Sequence, residues 1–200
     1  HFLYNTLDSI NWMAIEKEEY EISRMVRNLG VILRYSVDKS NKMATVAEMA
    51  DWLEKYVSLQ RMRFNDAFVC EIHIQPETKK VRIHKLLLQP FVENAILHGF
   101  KEIEYGGILR VDVMFSDIGD ELSIIIEDNG RGIPPEIAER YNNLENDGQD
   151  DESSIGLSNA FSRMRMYYGG RASWKVSSIP EVGTVITLKI PVGEGGESVK

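Results

Sequence analysis

The feature that most constrains this chain is a change of hydrophobic period at Asn65-Asp66. Before it apolar residues recur at helical spacing, and after it they alternate. Leu3, Leu7, Ile10 and Ala14, then Ile22, Met25, Leu29 and Ile32, keep the four-and-three spacing of a helix that packs on others, which predicts one long bundle helix from residue 1 to about 36. On it His1, Asn5, Asp8 and Trp12 fall on one line opposite the Leu3, Leu7, Ile10, Ala14 seam, so His1 should face solvent. Residues 38–42 read as a polar hairpin connection. Thr45 with Glu48 is a capping-box signature that opens a second helix, running to about Phe64 with a stripe of Val46, Met49, Leu53, Tyr56 and Leu59. Two antiparallel helices of this size share too little core to stand alone, and dimerisation into a four-helix bundle would supply it.

Beyond the change of period, Phe68, Cys70, Ile72 and Ile74 share one strand face, opposite Val69, Glu71 and His73. A turn at Gln75-Pro76-Glu77 and a short extended piece follow, then a helix over 85–98 interrupted or started late by Pro90. Strands are expected at 108–115 and 122–127, a helix from about 135 to 144, a helix over 157–168 stopped by Gly169-Gly170, and strands at 172–177 and 184–191. Residues 145–154 are acidic and free of apolar side chains, as in a mobile lid or a plain solvated loop. The fold class is therefore α+β: a helical hairpin over 1–66, a mixed unit over 67–192 and a disordered tail over 193–200.

A net charge of −8 argues against a nucleic-acid surface, which needs clustered Lys and Arg. Cys70 is the sole cysteine, so an internal disulfide is excluded; core filling suits it better than nucleophilic chemistry. No apolar run reaches the roughly 18 residues needed to span a bilayer, and no membrane contact by this stretch is expected. The chain opens at His1 already inside a helical pattern, so further sequence is expected upstream.

The candidate site centres on Glu127-Asp128-Asn129-Gly130-Arg131-Gly132-Ile133-Pro134, which follows the β-branched run 121–126. A carboxylate delivered at a strand end can accept a hydrogen bond from an exocyclic amine such as that of adenine. Gly130 and Gly132, lacking Cβ, let the backbone approach a flat ring. Alone this pattern is unspecific, because Asp and Gly fill ordinary turns. Three further pieces accompany it: Glu93-Asn94-Ala95 with His98 one helical turn on, Ile155-Gly156-Leu157-Ser158-Asn159, and Gly183-Thr184.

In order and spacing these four pieces resemble the boxes of the GHKL (Bergerat) nucleotide-binding fold, an α/β sandwich with a mixed sheet and a flexible ATP lid. With HFLYNTL at the start, Leu59-Gln60-x-x-Arg63-Phe64 and LLLQPFVENAILHG, residues 1–192 look like the LytS-type sensor histidine kinases. The resemblance implies ATP and Mg2+ as cofactors, with His1 as phosphoacceptor and Asn5 in an orienting role. Asp128 would take the adenine amino group, Gly130, Gly132 and Ile133 would shape the base pocket, and Thr184 would back the Asp128 carboxylate. Asn94 would coordinate magnesium, assisted by Glu93, and His98 would contact ribose or phosphate. Gly156, Leu157 and Asn159 would meet the phosphates at a helix N-terminus. It further implies a homodimer through the helical hairpin, a response-regulator receiver domain as partner, and a cytoplasmic fragment of a membrane-anchored parent. Phe2 stands where many histidine kinases carry an acidic general base, which leaves that role unassigned. A GHKL ATPase and a nucleotide-binding module without kinase activity are the alternatives. His73 and His84 match no functional position. Under every one of these readings Asp128 and Asn94 must open onto one cavity.

Overall fold

The computed structural model describes residues 2–37, 42–101, 103–117, 120–143 and 155–192. His1, the acidic stretch 145–154 and the tail 193–200 lie outside the described residues.

The expected single helix over 1–36 is two helices, α1 (Phe2–Glu16) and α2 (Tyr20–Val37), which pack on each other. α1 ends in a Schellman turn: the Glu19 amide donates to the Ala14 carbonyl at 2.8 Å, the Glu18 amide donates to that of Ile15 at 3.0 Å, and Glu18 sits at φ 60°. This turn normally carries glycine, and the glutamate here gives no stop signal. Across the fold-back the Ser23 hydroxyl, buried on α2, donates to Asn11 Oδ1 at 2.8 Å. Leu7 and Ala14 of the expected seam are buried, whereas Leu3 and Ile10 stay 51% and 41% exposed. Asn5, Asp8 and Trp12 face solvent.

The third helix, α3 (Val46–Arg63), begins at the expected capping box, with the Glu48 amide on Thr45 Oγ1 at 3.1 Å and the Thr45 amide on Glu48 Oε2 at 2.7 Å. Val46, Met49, Leu53 and Tyr56 are buried, joined by Trp52 and Val57. Just before α3 lies a strand that the polar connection hid, β1 (Met43–Thr45); it pairs antiparallel with the strand at Arg82–His84, named β3 below. Three-residue strands show no period, so only the pairing reveals them.

The sheet begins with β2 (Phe68–Ile74), separated by the Pro76–Thr78 turn from β3 (Arg82–His84). Its remaining strands are β4 (Gly107–Phe115), β5 (Glu121–Asp128), β6 (Ser173–Ile179) and β7 (Gly183–Pro191), in the order β2-β4-β5-β7-β6. The β2 and β4 pair is parallel and the rest antiparallel, so the sheet is mixed. Three helical pieces complete this region: α4 (Gln89–Glu93) running into a π-helical turn over Asn94–Gly99, α5 (Pro135–Asn142) and α6 (Ile155–Tyr168). The expected helix over 85–98 starts only at Gln89, because Leu86 lies at φ 59° and Pro90 fits only the first turn.

One continuous core joins α3 to the sheet face of Leu109, Val111, Leu122, Ile124, Ile186 and Leu188, under Phe91 and Phe161. Each such fully buried side chain contributes roughly 1.5–3 kcal/mol. The opposite sheet face is mixed, with Arg110 between Glu71 and Glu127 and with Val69, Ile108 and Met114 exposed. His73 pairs on that face with Asp112 at 2.9 Å, and His84 stacks on Tyr167, so both have structural company. Burial pushes the Cys70 thiol up to about 12, which leaves it unreactive at neutral pH. Among the described residues no helix is long and apolar enough to cross a membrane.

Candidate functional site

Asp128 is the last residue of β5, and the strand fixes where its carboxylate goes. The residue is 7% exposed. The Gly130 amide donates to Oδ1 at 2.9 Å, and the amide of Thr184, its register partner on β7, also bonds the carboxylate. Burial is the larger influence and raises the acid from 3.8 to about 6; the two amides pull it down, and the Glu127 charge pushes it further up. The Thr184 hydroxyl lies 3.0 Å from that of Ser178. Ser178 in turn accepts the Ile133 amide at 2.8 Å and donates to the Gly183 carbonyl at 2.8 Å.

Close backbone approach explains the glycines around this acid. A Cβ on Gly130 would lie 2.6 Å from the Gly99 carbonyl carbon, and a Cβ on Gly99 would lie 3.2 Å from Asp128 Oδ1. Gly132, at φ 73°, has its Cβ direction blocked by the Ile179 carbonyl. The loop is pinned on both sides, with the Arg131 amide on the Gly99 carbonyl at 3.0 Å and the Glu181 amide on the Arg131 carbonyl at 2.8 Å.

The π-helical turn carries the other half. It widens the helix so that the Phe100 amide reaches back to the Ala95 carbonyl at 3.0 Å, and its residues Asn94, His98 and Gly99 face the Asp128 loop. A cavity of about 500 Å³ is lined by Asn94, His98, Asp128, Gly132, Ile133 and Thr184. Arg131, inside the expected stretch but without an assigned role, and Tyr141, which no sequence pattern marks, also line it. Asp128 and Asn94 thus open onto one cavity, as the nucleotide readings require.

Glu93, Gly156 and Asn159 are not on that cavity. They line a second one of about 560 Å³ between α4 and α6, together with Arg163. Leu157 lies in the core, and Ser158 beside it is buried. His1 lies outside the described residues, and Asn5 sits exposed on α1, distant in sequence from both cavities. Gly99 escaped notice because a lone glycine after a helix reads as an ordinary stop. Asn129 escaped because its work is local: its side chain accepts the Ile108 amide at 2.6 Å and donates to the Gly106 carbonyl at 2.9 Å, fixing the start of β4.

Residues 79–194 match the profile of the histidine kinase-, DNA gyrase B- and HSP90-like ATPases. The chain belongs to that family. Residues 1–68 match the histidine kinase profile, so the two regions follow each other as in a histidine kinase core. The sensor histidine kinase YesM of Bacillus subtilis is 35% identical over 96% of this chain and 31% of its own length; the sensor protein kinase HptS of Staphylococcus aureus is 29% identical over 100% and 38%. This chain therefore spans about a third of the length of these curated relatives. The histidine kinase domain of the blue-light activated kinase from Erythrobacter litoralis is similar in fold, with a TM-score of 0.53, 17% identity and coverage of 94% and 92% of the two chains. The catalytic domain of the histidine kinase ThkA has a TM-score of 0.58 at 14% identity, over 78% of this chain and 97% of that one.

Proposed function

We propose that this chain is the kinase core of a LytS-type sensor histidine kinase, in which residues 67–192 bind ATP with Mg2+ and His1, in the helical region over residues 1–66, accepts the phosphoryl group. The observation that carries the reading is the cavity shared by Asp128 and Asn94: a buried acceptor with glycine on two sides, facing an amide oxygen donor. That donor set fits the two groups. The cavity beside Asp128 leaves room for a flat ring, the close packing of Gly130 on Gly99 fixes the loop that carries the acid, and Asn94 offers a neutral oxygen suited to a hard cation.

In this reading Asp128 accepts the adenine amino group, Gly130, Gly132 and Ile133 bound the ring, and the Thr184 amide holds the acid in place. Asn94 and Glu93 offer oxygens to magnesium, His98 stands beside the ribose or phosphates, and Gly156, Leu157 and Asn159 present α6 to the phosphate end. When bound, ATP supplies the phosphoryl group and magnesium offsets its charge; the protein contributes positioning and electrostatics. Asn5, exposed one turn beyond His1, orients the imidazole. The exposed apolar side chains of Leu3, Ile10, Ile22, Met25 and Leu29 support a homodimer through the helices. The phosphorylated histidine then serves an Asp of a response-regulator receiver domain, and the parent protein is anchored in a membrane with this region in the cytoplasm.

The test is label transfer from γ-labelled ATP in the full-length chain. Label is expected in acid-labile form on the wild type and absent from His1→Gln. Equal labelling of the two would end the kinase reading. Release of free phosphate far faster than any labelling would favour a clamp-type ATPase instead, against the presence of Pro90 four residues before Asn94, which offers no base to activate water.

A further inference from the structure

α3 and α4 meet through a part-buried polar contact at the edge of the apolar core. The Tyr56 hydroxyl, on α3, donates to Glu93 Oε1 at 3.3 Å, and Gln89 Nε2, one turn before Glu93 on α4, donates to the same oxygen at 2.7 Å. Gln60, one turn after Tyr56, hydrogen-bonds the Tyr56 hydroxyl, while its own Oε1 is buried without a partner. Burial first and the Glu93 charge second raise the Tyr56 phenol well above its ordinary range, so it stays a donor at every physiological pH. Trp52 stacks on the same ring at 5.2 Å and fixes its plane.

On its other side Glu93 lines the second cavity, where Arg163 is the cation among the described lining residues. A carboxylate held by two neutral donors stays on the α4 wall. Released from one of them, it can turn away from that wall into the cavity that Arg163 also lines. Glu93 and Asn94 are adjacent, so one turn of backbone presents an oxygen to each of the two cavities.

We propose that Tyr56 is a positioning residue: its hydroxyl holds the Glu93 carboxylate on the α4 wall, as an acceptor for the divalent cation carried in with a nucleotide's phosphates, so that the seating of α3 on α4 sets affinity at the phosphate end. This rests on the nucleotide reading above. It makes a residue of the helical region a determinant of metal-dependent binding without contact to nucleotide.

Calorimetric titration of the wild type, Tyr56→Phe, Glu93→Gln and the double variant with ATP plus Mg2+, and separately with ADP in chelator, tests it. Loss of one hydrogen bond to a charged group predicts about tenfold weaker Mg2+-ATP binding for Tyr56→Phe and for Glu93→Gln, with ADP affinity held within about twofold. The double variant should bind no worse than Glu93→Gln, because both changes act through one carboxylate. Gln89→Met, which removes the second donor, should show the same selective loss and serves if Tyr56→Phe does not fold. Unchanged Mg2+-ATP affinity, equal weakening of both ligands, or additive losses in the double variant would overturn the assignment. Failure of the wild type to bind either nucleotide would overturn the nucleotide reading itself, a separate result.

Discussion

The two cavities on either side of the Glu93-Asn94 turn are walled differently. Around Asp128 the seat of the acid is backbone: Gly99, Gly130 and Gly132 bring main chain within contact distance, and the amides of Gly130 and Thr184 hold the carboxylate. Around Glu93 the walls are side chains, and a Cβ on Gly156 would meet nothing within 4 Å. Shape at the first is set by rigid elements and cannot yield, whereas at the second it depends on rotamers that can move. A base needs the first kind of site, and a chain of phosphates whose conformation varies tolerates the second.

Substitution at the acid should have the largest effect. Asp128→Asn is expected to weaken nucleotide binding on the order of 100-fold by calorimetry, through loss of a charged, buried acceptor. Its effect on the fold should run the other way. The folded-state acid titrates at about 6 rather than 3.8, so this group favours the fold below about pH 4, and that contribution is lost as pH rises through about 6. The shift corresponds to about 3 kcal/mol. The melting temperature of Asp128→Asn relative to wild type should therefore climb between pH 4 and 7; a flat difference would mean that Asp128 is not buried as described.

Gly130→Ala comes next, since its Cβ would lie 2.6 Å from Gly99 backbone that cannot withdraw. It should lower the denaturant midpoint by the equivalent of about 1–3 kcal/mol and abolish nucleotide binding as well. Unimpaired binding would show that the base cavity is as pliant as the other. Thr45→Ala removes the α3 cap and should cost about 1 kcal/mol in chemical unfolding, with little change in ADP affinity. Gly156→Ala is the smallest. In open space at the start of α6 it should leave stability within about 1 kcal/mol, on the favourable side if anything, and leave affinity for ADP in chelator unchanged. A large loss in either would mean that the second cavity is also built by close packing.

Legibility followed local chemistry. The Thr45-Glu48 box, the alternation at Phe68, Cys70, Ile72 and Ile74, and the strand that ends on Asp128 could be read because each rests on neighbours in the chain. The break after Glu16 could not, since a glutamate occupies the left-handed turn position where glycine would have announced the stop. The pairing of β1 with β3 was equally hidden, as three residues carry no period.

Apart from the break after Glu16 and the short strand β1, the sequence by itself determined the succession of helices and strands and the residue types at both ends of the site, because periodicity, caps and short motifs act over a few positions. Only the tertiary structure decided that α3 shares its core with the sheet, that Gly99 closes on Asp128, and that Glu93 and Asn94 open onto different cavities. Those relations join residues far apart in the chain, and side-chain packing, not local preference, fixes them.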